Sequence, residues 1–316
     1  MDMQEKKRAI VEAVLVVVLM SIFTIVGVYI PVLTLFILFI PTSFIILGKR
    51  YGTGFAILSV VAWGVITGGV LGIYSMFFVG VFGMTAIVIV YMMNKGYSAQ
   101  KVLGAGTLTS LISILLAIGS ASKTFGVDVI EQMSETFAQS MNMQIKMYET
   151  IGIEPYKLEL LKKTIVSGVE LVIMSIPAEI IIVSTFFAYM NYRFAMGILK
   201  KIDKKIEPLP PLRRLRLPKN IIMGTILIMI LTTVTQYFGF ANYQSLVLNI
   251  FLIVQLVYFL QGFAVISHFL YVFRMNTLLR ILIYTLFVFN GSGMFIMAVI
   301  GFIDAMINLR KLKTEN

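Results

Sequence analysis

Residues 13–48 read AVLVVVLMSIFTIVGVYIPVLTLFILFIPTSFIILG, a run without charge between Glu12 and Lys49. At 1.5 Å per residue, a helix crosses a hydrocarbon core roughly 30 Å thick with about 20 such residues. The run is long enough for two crossings. Pro31 divides it, since proline suits the first turn of a helix and not its interior. No period-two alternation of a barrel strand runs through it. Backbone N–H and C=O groups find no water in lipid, so the spanning element is the α-helix.

The same texture extends outward from this run. Hydrophobic residues make up 59% of the 316 and charged residues only 13%, against about 25% charged in a soluble domain. A chain so poor in charge cannot cover a water-facing surface. The fold class expected is all-α: a polytopic transmembrane bundle with about nine apolar stretches and a cytoplasmic N-terminus. The first stretch runs from Ala9 to Ile30, and the second from Pro31 to Gly48 with Pro41 in its middle. Further stretches lie at about Gly54–Ile73 and Tyr74–Met93, then one after the loop of Lys95 and Lys101 that ends near Ser120, then Pro155–Met190, Ile221–Gly239 and Ser245–Val272. The last, Ile281–Leu309, is interrupted at Asn290-Gly291-Ser292-Gly293.

Charge sets the domain boundaries. Residues 1–190 are expected to form a six-span bundle, carrying an extracytoplasmic helical insertion over 121–164 where five Lys and six Asp or Glu collect. Within that insertion Ile130, Met133, Phe137, Met141, Ile145 and Tyr148 recur at spacings of three and four, an apolar stripe on one helix face. Residues 191–220 read as a basic cytoplasmic linker closed by Pro208, Pro210, Pro211 and Pro218, and 221–316 as C-terminal transmembrane helices. With the N-terminus inside, the inner segments hold eighteen basic residues against five outside, as the positive-inside rule requires. If the last stretch turns back at Gly291–Gly293, Arg310, Lys311 and Lys313 join the inner side.

Ionisable groups inside spans are the first candidates for chemistry, because a charge at a helix centre costs about 2.5–3.5 kcal/mol on insertion scales. Glu179 falls near the middle of the sixth stretch, just after Pro177, and Glu170 lies on the opposite face. Gln255, Gln261 and His268 in the eighth stretch, together with Asn249, are either helix-joining amides or members of a polar site. Asn290 opens the break in the last stretch, which is either a plain turn or exposed backbone for a ligand. Glu12 pairs with Arg8 one turn away, and Asp304 and Arg310 are expected to anchor the inner end of the last stretch. Gly64, Gly68 and Gly72 form a groove for a neighbouring helix. Arg213, Arg214 and Arg216 are candidates for contact with anionic lipid or a cytoplasmic partner.

The absences narrow the class. No G-x4-G-K-[ST] phosphate loop, G-x-S-x-G or H-E-x-x-H occurs, and one histidine without cysteine leaves metal and thiol chemistry without ligands. No enzyme and no cofactor is expected. Nor is nucleic acid, since the net charge of +11 sits in short loops beside apolar runs.

The segment Leu209-Pro210-Pro211-Leu212-Arg213-Arg214-Leu215-Arg216-Leu217-Pro218, with Gly301-Phe302-Ile303-Asp304 and Arg310, resembles the YybS-like predicted membrane proteins of Gram-positive bacteria over nearly the whole chain. That resemblance implies a bacterial cytoplasmic membrane and no established activity. Pro41 followed by Leu47-Gly48-Lys49-Arg50-Tyr51-Gly52-Thr53-Gly54-Phe55 is similar, more distantly, to the substrate-binding S components of energy-coupling-factor vitamin transporters. Ala9 and Ala13 match in type and place the small-residue motif by which S components dock on a coupling subunit. This second resemblance implies small-molecule capture, with a coupling subunit and ATPases as partners. The chain departs from it by continuing for some 120 residues beyond six spans. The function expected is therefore transport-related; the alternative is a membrane scaffold or regulator acting through its basic loop.

Overall fold

The structure, a computed structural model, describes residues 2–126, 128–152, 154–202, 211–218, 220–239 and 242–311. Asp203, Lys204, Lys205, Glu207 and Pro208–Pro210 of the basic segment, with Lys219 and Lys313, lie outside the described residues. Among those described there are helices and no strands. Eight helices are long and apolar enough to cross a membrane, and a bent pair near the C-terminus passes the same test jointly.

The first span is α1 (Met3–Tyr29), and the second is broken into α2 (Pro31–Ile37) and α3 (Ile40–Tyr51). The third is α4 (Thr53–Leu71). The fourth is irregular: a 3-10 turn at Gly72–Tyr74, α5 (Ser75–Phe78), a π-helical turn at Val79–Gly83, then α6 (Met84–Asn94). After α7 (Ala99–Phe125) comes the amphipathic α8 (Val129–Thr150), and after it α9 (Pro155–Ile202). The sequence places the end of the sixth span near Met190, yet α9 runs on through the first residues of the basic segment. Nothing between Ala178 and Ile202 breaks a helix, and the prolines begin only at Pro208. The remaining helices are α10 (Ile221–Val234), α11 (Tyr243–Val272), α12 (Thr277–Val288) and α13 (Gly291–Ile307).

The chain divides into two compact units, Met1–Thr136 with Ile180–Leu209, and Phe137–Glu179 with Pro210–Asn316. In the first, Trp63 and Phe44 are fully buried with their rings 5.5 Å apart. The Trp63 indole Nε1 donates to Thr24 Oγ1 at 3.0 Å. The α4 glycines act as a groove: a Cβ on Gly64 would lie 2.9 Å from Val79, and one on Gly68 3.3 Å from Ser75 Oγ. Gly48 is tighter still, its missing Cβ 2.6 Å from Val90 and 2.7 Å from Ala56.

Each unit repairs a break in the helical ladder with a distant asparagine. The break between α2 and α3 opens the i and i+4 pair of Leu38 O and Thr42 N, and the Thr42 N–H turns to Phe39 O at 3.1 Å. The fully buried Asn191 serves both groups: Nδ2 donates to Leu38 O and to Phe187 O at 3.0 Å, and Oδ1 accepts from Thr42 N and Oγ1 at 3.0 and 2.8 Å. In the second unit Pro177 sits inside α9. There Asn249 inserts into the ladder: Nδ2 donates to Met174 O at 2.7 Å while Oδ1 accepts from Ala178 N at 2.6 Å. Those two backbone groups are the i and i+4 pair of a regular helix. Ser245 Oγ adds a second donor to Met174 O at 2.9 Å.

The second unit centres on a crossing of α11 and α13. A Cβ on Gly262 would lie 1.8 Å from Met297 O, and one on Gly301 would lie 1.9 Å from Tyr258 O. Only glycine at both positions lets the two backbones touch. α12 and α13 meet at a bend of 101°, where Asn290 caps α13 by accepting from Ser292 N at 3.1 Å and Ser292 Oγ at 2.6 Å.

Asn249→Leu should cost about 1–3 kcal/mol, the penalty for orphaned buried polar groups, measured by unfolding in mixed detergent. Adding Pro177→Ala should recover much of that loss, because the ladder can then close; fully additive losses would show that Asn249 serves something else. Gly301→Ala should lower the melting temperature, as overpacking costs about 1–3 kcal/mol. Gly224→Ala in α10, where a Cβ meets open space, should not.

Candidate functional site

Among the described residues, the best-buried charges lie where α13 ends. Asn308 adopts φ 51° and turns the chain back, so Arg310 returns to Asp304, six residues earlier. Their side chains are 0% and 2% exposed and the Arg310 Nη2–Asp304 Oδ2 distance is 2.9 Å. Arg310 Nε also faces Asp304 Oδ2 at 3.3 Å, and its backbone N–H donates to Oδ1 at 3.3 Å. Gln261 Nε2 donates to the same carboxylate at 2.6 Å.

This cluster reaches out to the basic segment. Arg310 Nη1 donates to Arg213 O and Nη2 to Leu215 O, each at 2.8 Å, while Gln261 Oε1 accepts from Leu217 N at 3.2 Å. Three backbone groups of a loop that proline keeps out of helix thus find partners on α11 and beyond α13. A 3-10 turn at Leu212–Arg214 lies within the loop. The Arg213 guanidinium stacks over Tyr271, 3.6 Å from the ring centre.

Contacts fix the two arms of the last stretch against α11. α12 leaves from the end of α11, and its Tyr284 stacks on Phe263 at 4.7 Å. α13 then returns alongside α11, and Arg310 arrives beside Arg213, the residue stacked on Tyr271.

The other sequence candidates are scattered. Glu179 falls near the middle of the apolar helix Tyr156–Ile202. It is exposed and makes no ion pair among the described residues, as is Glu170 a further nine residues back. The polar side chain at depth is Asn191, which the sequence assigned to the linker. Its signal was the absence of any helix breaker before Pro208.

Gln255 is half-buried, and His268 is half-buried with an edge contact to Phe269 at 5.6 Å. Neither joins the Gln261–Asp304–Arg310 cluster. Asn290 is an exposed helix cap. Ala9 is fully buried and Ala13 half-buried, so only the second offers any surface. Of the three loop arginines, Arg213 and Arg216 are half-buried and Arg214 is exposed. In the α8 stripe Ile145 is buried, whereas Met133 and Phe137 are 42% and 37% exposed. Asp304 and Arg310 are not surface anchors: they pair with each other in the interior.

Breaking a buried ion pair by removing one partner costs about 3–5 kcal/mol, whereas exchanging both for apolar residues can be neutral. Asp304→Asn should lower stability and expose the loop to trypsin after Arg214. In Asp304→Leu/Arg310→Met stability should largely return while cleavage stays fast, because Arg213 O and Leu215 O still lack their donor. Wild-type cleavage in that double variant would show that the loop is held by something else.

A family model described as "Predicted membrane protein (DUF2232)" matches residues 18–305. The protein of Bacillus subtilis strain 168 described as "Uncharacterized protein YybS" is 23% identical over 264 residues, which cover 83% of this chain and 84% of that protein. No solved structure matches the chain. The two stretches that carried the family resemblance, the proline-bracketed arginine loop and Gly301–Arg310, are the two that the buried carboxylate and guanidinium tie together, and the chain belongs to the DUF2232 family of predicted membrane proteins.

Proposed function

We propose that the protein is a transport-related component of the bacterial cytoplasmic membrane, its N-terminus cytoplasmic and its first unit capturing a small uncharged molecule from the outer side. One observation carries this reading: both irregular spans of that unit are irregular in the half away from the N-terminus. The second span breaks at Leu38–Phe39, and the fourth passes through 3-10 and π turns between Gly72 and Gly83. Broken spans and π turns recur at binding sites, because they free backbone groups beside a cavity. No ionisable side chain apart from tyrosine occurs at 13–48 or 52–94. The side chains of these spans are uncharged, which suits a neutral ligand. The energy source would be a coupling subunit with ATPases, as in the transporters whose S components the first six spans resemble.

The buried Arg310–Asp304 pair favours a second reading, in which the protein is a membrane scaffold or regulator. Its cost in desolvation is offset by the pairing itself and by the hydrogen bonds that hold the 211–218 loop, and Arg214 is the exposed cation of that loop.

In thermal-shift and native mass-spectrometry screens, a neutral small molecule should stabilise the purified protein, and a coupling ATPase should copurify. Arg214→Ala should leave both unchanged. If neither ligand nor ATPase is found, and Arg214→Ala abolishes function in cells, the scaffold reading replaces this one.

A further inference from the structure

At the end of the first unit where the chain begins, α1, α3 and α9 enclose a pocket of about 340 Å³. Arg8, Lys49 and Arg50 line it with Glu5 and Tyr51, and Leu199 and Ile202 form its apolar wall. We propose that this pocket holds the phosphate of an anionic phospholipid. The site is independent of the function proposed above.

The cations are positioned by contacts that leave donors unused. Glu12 receives Arg8 Nε at 3.2 Å and also Arg50 Nη1, so one carboxylate fixes two guanidinium groups. Arg50 further stacks on Tyr51, 4.9 Å from the ring centre. The Lys49 ammonium donates once, to Met93 O at 3.2 Å. Both Nη groups of Arg8, Nε and Nη2 of Arg50, and two ammonium protons of Lys49 have no partner among the described residues. A phosphate offers several acceptor oxygens to such a set.

The acidic lining residue does not compete for them. Glu5 is turned toward its own helix start, where it accepts from Asp2 N at 3.2 Å in a capping box. Counting Glu12 behind the wall, three cations face two carboxylates, and the exposed Lys6, Lys7, Lys200 and Lys201 lie on the same helix ends. The volume is at the small end of ligand cavities, which run from about 300 Å³. Three apolar helices end here, so the pocket sits at a membrane–water boundary. A headgroup can enter it there while its acyl chains stay beside Ile202, which is 51% exposed.

The probes are phosphatidylglycerol, phosphatidylcholine and inorganic phosphate, each added to the full-length protein in detergent. Native mass spectrometry should show one phosphatidylglycerol retained in preference to phosphatidylcholine. Arg8→Gln/Lys49→Gln should weaken that retention about 30-fold, from the usual contribution of a cation at an anionic lipid surface. Lys6→Gln/Lys7→Gln removes the same charge outside the pocket and should change it less than about twofold. Arg8 is 73% exposed at its side chain, so Arg8→Gln alone, with an unchanged melting temperature, guards against misfolding and should still give a several-fold loss. Equal losses from the two lysine-containing pairs would reduce the effect to a diffuse field and overturn the site. Stabilisation by inorganic phosphate equal to that by phosphatidylglycerol would overturn the lipid assignment.

Discussion

Lipid supplies no hydrogen bonds, so every backbone group released by a break in a spanning helix must find its partner within the protein. This constraint organises both units. The second span breaks at Leu38–Phe39 and Asn191 closes the gap; Pro177 opens α9 and Asn249 closes that one. Where the chain leaves helix altogether, at 211–217, Arg310 and Gln261 take up the carbonyls and the N–H. An amide is suited to the first two repairs because it presents one donor and one acceptor side by side, the complement of an open C=O and N–H pair. The loop presents two carbonyls close together, and a guanidinium, with five donors in a fixed fork, answers that arrangement better than an amide could.

Packing then decides whether these repairs can form. Apolar burial does little to drive helices together in lipid, whose tails are as apolar as leucine, so close approach and polar contacts hold them. The Gly262–Gly301 crossing brings α11 and α13 into backbone contact, and one turn beyond it Gln261 reaches Asp304 at 2.6 Å. A side chain at either glycine would move the carboxylate away from the amide. The geometry of one interhelical contact and the stability of a buried ion pair are therefore the same problem.

Much of the architecture was legible in the sequence, for a physical reason. Charge is confined to the ends of the apolar runs, and the run from 13 to 48 by itself requires membrane helices. The bend at Phe289–Asn290 was marked by Asn290 and the glycines that open α13, which extend an apolar helix only at a cost. What misled was helix length. The end of the sixth stretch was set near Met190, but a helix does not stop where charge begins; it stops where its backbone cannot continue. α9 keeps going to Ile202, which brings Asn191 into the helix. Nor could spacing along the chain reveal that Arg310 folds back on Asp304, because the reversal depends on one residue, Asn308, adopting a left-handed conformation.

The two kinds of polar group in this protein therefore answer to different demands. Asn191 and Asn249 satisfy backbone that is broken in any case, and neutral amides do so without the desolvation cost of a charge. Asp304 and Arg310 bear that cost, and an apolar pair of similar volume could fill their space. Their retention makes sense only if the loop they hold must keep a fixed shape, since the guanidinium reaches two carbonyls that no apolar side chain could serve. Arg213 supports the same conclusion, being stacked on Tyr271 through its side chain and held at its carbonyl by Arg310. The buried charges of the second unit thus serve a loop outside the apolar spans, whose carbonyls they hold.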